Sequence, residues 1–216
     1  MDKRKDLKEL NLLDKFLFDE AVEDPEFLET VLSIILDHEV TLTVFPQTEK
    51  EQRRRTNRRK IQLDVWSQDT EKTIYDTEVQ NLNTGNLPKR FRLYHALIDS
   101  NLLPSGTRDF NLLNDVVVII IAPFDLFGLN KYRYTFRMRC DEEKNLELND
   151  GAVTIFLNTH GTNKDGVTDE LIDLLHYFED SSERIAADSD SSRIKMLHKR
   201  IRQIRDDEKV GIKYMN

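Results

Sequence analysis

The chain has 216 residues, of which 38% are hydrophobic and 33% are charged. This composition excludes a fibrous or wholly disordered protein, and the length is sufficient to bury the core of one compact domain. The formal net charge of −8 argues against a surface that attracts nucleic acid everywhere, because an acidic protein repels phosphates at long range.

The sequence also indicates the cellular compartment in which the protein works. No apolar run approaches the ~20 residues that a membrane-spanning helix needs, and the first ten residues, MDKRKDLKEL, contain no apolar signal core. The single cysteine, Cys140, excludes an intramolecular disulfide and suits a reducing compartment. These features predict a cytoplasmic protein with no membrane partner.

Helix and strand patterns alternate along the chain, which predicts an α/β fold with a mixed central sheet flanked by helices. Pro25 suits the first turn of a helix, and the run VVVIIIA at 116–122 is typical of a central strand buried on both faces. The acidic, serine-rich segment 179–191 is interpreted as a linker. The predicted elements, in chain order, are helices at 12–22 and 26–36, a strand at 40–45, two strands within 61–80, a helix at 89–102, strands at 116–122, 132–138 and 153–157, and helices at 167–178 and 192–205.

The two strands within 61–80, IQLDVWSQDTEKTIYDTEVQ, are predicted to form a hairpin. Isoleucine, valine, tryptophan and tyrosine give both runs strand character, and residues 67–72 supply polar turn chemistry between them. A three-residue loop at 70–72 sets Asp69 opposite Thr73, which fixes the pairing of every residue further along the hairpin.

This register brings Asp64 directly opposite Glu78. Because side chains alternate along a strand, Gln80 lies on the same face as Glu78. Two opposed carboxylates are about 5 Å apart, and like charges at that distance are destabilising unless a cation lies between them. A divalent metal that takes oxygen ligands is the simplest candidate.

An aspartate followed by x-Glu-x-Gln on paired strands resembles the PD-(D/E)XK nuclease fold, and most closely its transposase-like branch, the recombination-promoting nuclease (Rpn) family. The wider fold has lysine where Gln80 stands, and family members often have tyrosine at the position of Leu93. The resemblance covers nearly the whole chain, in segments that follow in order: LLDKFLF at 12–18, RKIQLDV at 59–65, YDTEVQ at 75–80, NLPKRFRLYHALID at 86–99, IAPFDLFG at 121–128, YRYTFR at 132–137 and DGAVTIFLNT at 150–159.

The resemblance implies a nuclease-like domain over residues 1–160 and a C-terminal helical extension over 161–216, packed on or beside the core. It implies hydrolysis of phosphodiester bonds in DNA, in transposition or recombination. Relatives commonly continue past a segment similar to GIKYMN, and the sequence leaves open whether this chain extends beyond Asn216.

The site implied by the resemblance is built on the hairpin. Asp64 and Glu78 would hold Mg²⁺ or Mn²⁺, which prefer carboxylate, carbonyl and water oxygens. Val79 would add its backbone carbonyl, and Asp14 matches an acidic position that completes the metal shell, although an acid on a helix surface explains Asp14 as well. Gln80 would orient a water molecule without acting as a base, since an amide does not titrate.

Two sets of residues are candidates for binding DNA. The segment 50–60, KEQRRRTNRRK, holds seven basic side chains beside the strand that carries Asp64, where counterion release would favour a phosphate backbone. A solvated loop is the alternative for this segment, and an ordinary amphipathic helix is the alternative for the second set. The candidate residues are Arg53, Arg54, Arg55, Arg58 and Arg59 in the first set, and Arg90, Arg92 and Tyr94 on the helix after the hairpin.

Other functions remain open at this stage. A degenerate nuclease fold could bind without cutting, as a module in mobile-element, toxin or phage-defence biology, although Asp64, Glu78 and Gln80 together favour the enzyme. A DDE-type transposase would need a third catalytic acid for which no motif stands out. The sequence leaves open whether the chain acts alone or as a homodimer, and a DNA-bound form would be associated with the nucleoid.

Overall fold

The computed structural model of the chain describes residues 5–52 and 61–215, without the side chains at positions 45, 49–52 and 61–64. Its centre is a mixed sheet whose six described strands are ordered β1-β2-β3-β4-β6-β5. Strands β1, β2 and β3 are antiparallel, β3, β4 and β6 are parallel, and β5 is antiparallel to β6. The strands are β1 (Leu42–Gln52), β2 (Ile61–Asp69), β3 (Ile74–Val79), β4 (Val116–Ala122), β5 (Arg133–Phe136) and β6 (Ala152–Asn158).

Helices flank this sheet, and local capping groups set where several of them begin. Asp14 and Thr168 each accept a backbone N–H of the following first turn, and Pro25 occupies the first turn of its helix behind the cap Asp24. The helices are α1 (Lys15–Val22), α2 (Pro25–Leu36), α3 (Leu87–Leu102), α4 (Asp169–Glu179), α5 (Glu183–Asp188), α6 (Ser192–Asp206) and α7 (Glu208–Met215), with short 3₁₀ turns at Leu7–Glu9 and Phe110–Leu112.

The alternation of side chains along β3 and β4 divides the core into two layers. On one face, Tyr75 and Ile119 pack with α1, α2, α4 and α6. On the other face, Ile74 and Ile120 pack against α3. Every residue of β4 is buried, which confirms the prediction of a central strand covered on both sides.

The predicted α/β architecture is confirmed, and the differences lie near the C-terminus and in β1, which continues to Gln52 instead of ending at residue 45. The interpretation of 179–191 as a linker is wrong over Glu183–Asp188, which forms α5 with Ser182 as its cap and buries Ala186. Helix α7 was not predicted; its Tyr214 packs against Phe16 with ring centroids 4.9 Å apart.

The two predicted domains share one apolar cluster. Leu174 of α4 and Leu197 of α6 belong to the same buried cluster as Phe18 of α1 and Leu28 of α2. The C-terminal helices therefore complete the layer over one face of the sheet, while a domain division at residue 160 stays a prediction. Among the described residues, no helix combines the length and the apolar character that crossing a membrane requires.

Candidate active site

The hairpin of β2 and β3 has the predicted register wherever its pairing is described. The backbone N–H of Asp69 donates to the carbonyl of Thr73 at 3.1 Å, so these two residues close the loop as expected. The pairs that follow are Gln68 with Ile74, Ser67 with Tyr75, Trp66 with Asp76 and Val65 with Thr77.

The next residues along the two strands are Asp64 on β2 and Glu78 on β3. Both positions belong to their strands, but the side chain of Asp64 lies outside the described residues. The convergence of the two carboxylates therefore stays a prediction that the neighbouring register supports.

The Asp69 carboxylate fixes the hairpin turn. It accepts the N–H groups of Glu71 and Thr73 at 2.9 and 2.8 Å and the hydroxyl of Tyr75 at 2.7 Å. Burial, followed by the hydrogen bond to Asp69, raises the pKa of Tyr75, so the phenol stays protonated and keeps donating. Lys72 takes a left-handed conformation with φ 69°, which completes the reversal of the chain.

Glu78 and Gln80 lie at the C-terminal end of β3 and share one cation. Arg90 donates from Nη2 to Glu78 Oε2 at 2.7 Å and to Gln80 Oε1 at 2.6 Å. The amide nitrogen of Gln80 donates to the carbonyl of Leu82 at 2.7 Å, which turns its oxygen toward the guanidinium. The expectation that Glu78 and Gln80 share a face agrees with their common contact.

Two aromatic rings of α3 hold the guanidinium of Arg90 in place. Its central carbon lies 5.8 Å from the ring centre of Phe91 and 5.6 Å from that of Tyr94, within the range of cation–π attraction. Burial raises the pKa of Tyr94, and the charge of Glu78 raises it further. Tyr94 is therefore a neutral phenol beside the Glu78 carboxylate.

Asp76 is a buried carboxylate beside the candidate site that the sequence analysis missed. It is fully buried, and it lies one step before Glu78 on the same face of β3, opposite Trp66 on β2. Its charge contributes to the raised pKa of Tyr94. Positions 76, 78 and 80 alternate together on one face, so the sequence contains a signal for Asp76 that the x-Glu-x-Gln pattern alone does not include.

Asp14 and Val79 lie near this end of β3 with roles that are visible in the fold. Asp14 caps α1 by accepting the N–H of Phe16 at 3.0 Å, and the side chain of Asn81 donates to the carbonyl of Leu13 at 2.6 Å. This bond ties the start of α1 to the chain just after Gln80. The side chain of Val79 is buried in the layer of α1 and α2. Only its backbone carbonyl is therefore a candidate metal ligand.

The predicted DNA-binding residues fall into four groups. Arg92 is exposed on α3, Tyr94 is buried, and Arg90 contacts Glu78 and Gln80. The remaining five, Arg53, Arg54, Arg55, Arg58 and Arg59, lie outside the described residues.

The oxygen donors of Glu78 on β3 and Gln80 just after it fit a hard divalent cation. A carboxylate oxygen and an amide oxygen approach the same Arg90 nitrogen, so both point at one place where positive charge is held. Oxygen donors of these types are those that Mg²⁺ and Mn²⁺ prefer. Within the described part of the chain, no group of three or more histidine, cysteine or acidic residues is arranged to hold a metal; Asp64 is not part of that set.

Comparison with known proteins gives one family. A family model described as PD-(D/E)XK nuclease family transposase matches residues 14–216, which is nearly the whole chain. No curated protein and no solved structure gives a significant match.

Proposed function

Since the chain belongs to the PD-(D/E)XK nuclease family transposases, we propose that it is a metal-dependent endodeoxyribonuclease. Its reaction would be hydrolysis of phosphodiester bonds in DNA, in transposition or recombination. The observation that carries the proposal is the register of β2 and β3, which ends at Val65 and Thr77 with Asp64 and Glu78 as the next residues.

In this proposal the two strands supply the metal ligands. Glu78 and Asp64 would bind Mg²⁺ or Mn²⁺ through their carboxylates, with the backbone carbonyl of Val79 and the carboxylate of Asp14 as further oxygen donors. When bound, the cation would lower the pKa of a water molecule and neutralise charge that grows on the phosphate.

The other residues of the site would position the reactants. Gln80 would orient the attacking water, since its side chain is already fixed by the Leu82 carbonyl and an amide cannot accept the proton at neutral pH. Arg92, exposed on α3, would contact a phosphate, and the five arginines of 50–60 would follow the DNA backbone.

The burial of Glu78 supports a cation site at this position. Its side chain is only 3% exposed, and a carboxylate so far from water needs a positive partner. The guanidinium of Arg90 already supplies positive charge at this carboxylate, so the surroundings of Glu78 accommodate a cation.

A cleavage assay tests the proposal. Wild type, Asp64→Asn and Glu78→Gln would be incubated with plasmid and linear DNA in Mg²⁺, in Mn²⁺ and in EDTA. The wild type should cut only with metal, and each variant should lose activity by on the order of 10³-fold, because the metal supplies several kcal/mol of transition-state stabilisation. Glu71→Gln, a loss of the same charge at an exposed position in the hairpin turn, serves as the matched control and should cut normally.

The competing function is a nuclease fold that binds without cutting. It gains some support from the position of Arg90, which already satisfies the carboxylate and the amide of β3. If the wild type cleaves neither DNA nor RNA with either metal, and metal leaves its melting temperature unchanged, the protein is a binding module.

A further inference from the structure

One nitrogen of Arg90 contacts two side chains of the proposed site, Glu78 on β3 and Gln80 just after it. Arg90 Nη2 lies 2.7 Å from Glu78 Oε2 and 2.6 Å from Gln80 Oε1. These distances are typical of strong, charge-assisted hydrogen bonds. The guanidinium therefore occupies one carboxylate oxygen that a metal ion would use and the amide oxygen that would orient the attacking water.

A divalent cation and this guanidinium repel one another. Binding of a metal to Glu78 would place two positive charges beside Arg90, and burial weakens the screening of that repulsion. The side chain of Glu78 is 3% exposed, so the carboxylate cannot swing into solvent to bind the metal and Arg90 at the same time. The guanidinium must give way when the metal binds.

Arg90 can leave without unfolding its helix. Its side chain is 30% exposed, against 3% for Glu78, so Arg90 lies nearer to solvent than the carboxylate. The backbone N–H of Arg90 donates to the carbonyl of Asn86 at 3.1 Å in the first turn of α3. A change in the side-chain torsions is then enough to carry the charge outward.

We propose that Arg90 is an exchangeable counter-ion: it holds Glu78 and Gln80 until a divalent cation displaces it, and it then grips a phosphate of the bound DNA. This inference rests on the proposed function. It explains how one arginine can both stabilise the pocket and serve the substrate, since its planar fork matches a phosphate as well as a carboxylate. Metal binding and DNA binding are then coupled through a single side chain.

The first test is metal affinity measured by isothermal titration calorimetry with Mn²⁺ alone. Arg90→Gln should bind Mn²⁺ about tenfold more tightly than wild type, within the usual range of coupling between sites, because the competing charge is gone. Lys89→Gln removes the same charge from the neighbouring exposed position of α3 and should leave the affinity unchanged. Equal affinities for Arg90→Gln and Lys89→Gln would overturn the inference.

A charge-preserving variant covers the case in which Arg90→Gln folds poorly. Arg90→Lys keeps a positive charge near Glu78, so it should fold and should bring the Mn²⁺ affinity back toward that of the wild type. If Arg90→Lys binds Mn²⁺ as tightly as Arg90→Gln, the inference that the charge of residue 90 competes with the metal is wrong.

The second test is the dependence of DNA binding on metal, measured by fluorescence anisotropy with Ca²⁺ and with EDTA. Coupling is reciprocal, so the loss of DNA affinity in Arg90→Gln should be about tenfold with Ca²⁺ and less than about twofold in EDTA. The same loss in both conditions would mean that Arg90 contacts DNA independently of metal, and would overturn the exchange.

The results also separate this inference from the proposed function. A wild type that binds Mn²⁺ and cuts DNA, with no gain in affinity in Arg90→Gln, overturns the exchange and leaves the nuclease intact. A wild type that neither binds Mn²⁺ nor cuts overturns both.

Discussion

Removal of Arg90 should destabilise the protein more than neutralisation of Glu78, although both changes break the same ion pair. In Arg90→Gln the carboxylate of Glu78, 3% exposed, loses its guanidinium and has almost no access to water. Loss of one partner of a buried pair costs about 3–5 kcal/mol. Because Arg90 itself is 30% exposed and water can enter part of its space, we expect about 3 kcal/mol, the lower end of that range.

Glu78→Gln leaves the less buried partner behind. The guanidinium of Arg90 can turn toward water, and the new amide still offers an oxygen as an acceptor, so the expected loss is about 1 kcal/mol, similar to a single hydrogen bond. The free energies of unfolding of the two variants should therefore differ by about 2 kcal/mol, with Arg90→Gln the less stable protein.

Urea unfolding in EDTA measures this difference. The chain has one tryptophan, and Trp66 is 8% exposed in the layer beneath α3, so its fluorescence reports loss of packing near the site. Lys89→Gln is the control and should stay within about 0.5 kcal/mol of wild type. Equal losses of unfolding free energy for the two variants, or a larger loss for Glu78→Gln, would contradict the claim that the deeper burial of Glu78 makes the loss of Arg90 more costly.

Three further predictions concern other parts of the chain. Replacement of Arg53, Arg54, Arg55, Arg58 and Arg59 by serine should weaken DNA binding and flatten its log–log dependence on salt by about 0.9 for each phosphate that is no longer neutralised; an unchanged slope in anisotropy titrations would return this segment to a solvated loop. Burial raises the pKa of Asp125, but hydrogen bonds from the N–H of Phe127, the hydroxyl of Tyr134 and the N–H of Asn130 lower it below its ordinary value. The Asp125 carboxylate therefore adds to the free energy of unfolding above pH ~4, and this contribution is lost as the pH falls through the pKa of the folded state. Asp125→Asn should lower the free energy of unfolding at pH 7 by about 2 kcal/mol and should make it fall less with acid in urea titrations. The same dependence of stability on pH in wild type and variant would contradict this. Ile119→Val in the fully buried strand β4 should lower the free energy of unfolding by about 1 kcal/mol, whereas Leu112→Val at an exposed position should have little effect, and similar losses for both would contradict the buried position of β4.

The hairpin register could be predicted because its determinants are local. Asp69 and Thr73 flank a short polar loop, and the Asp69 side chain closes that loop through bonds within four residues. Once the turn is set, strand alternation predicts that Asp64 lies opposite Glu78 without any knowledge of the remaining fold. The buried strand β4 was equally clear, since its seven residues are all apolar.

The pairing of Arg90 with Glu78 could not be predicted in the same way. The two residues are twelve positions apart on different elements, and their contact depends on how α3 is rotated on the sheet. In the sequence, Asp64 and Glu78 are two acids that repel unless a metal intervenes. In the structure, the guanidinium of Arg90 already supplies a positive charge at Glu78. Neutralisation of Glu78 is therefore not expected to stabilise the protein by relieving repulsion from Asp64.

Helix α5 shows a different kind of omission. The acidic, serine-rich composition of the surrounding segment 179–191 favoured a linker, but Ser182 caps the first turn of α5 and Ala186 packs into the core. Six residues carry too little periodic pattern to stand out against such a composition. Tertiary packing against α4 and α6 then decides the outcome.

The location of Mn²⁺, found by anomalous X-ray scattering from crystals of the wild type soaked in MnCl₂, is the most direct test of the proposed metal site. We expect one peak at coordination distance, about 2.1 Å, from carboxylate oxygens of both Asp64 and Glu78, with the Arg90 guanidinium moved away from Glu78. A peak elsewhere, or no peak while Arg90 still contacts Glu78 and Gln80, would contradict it.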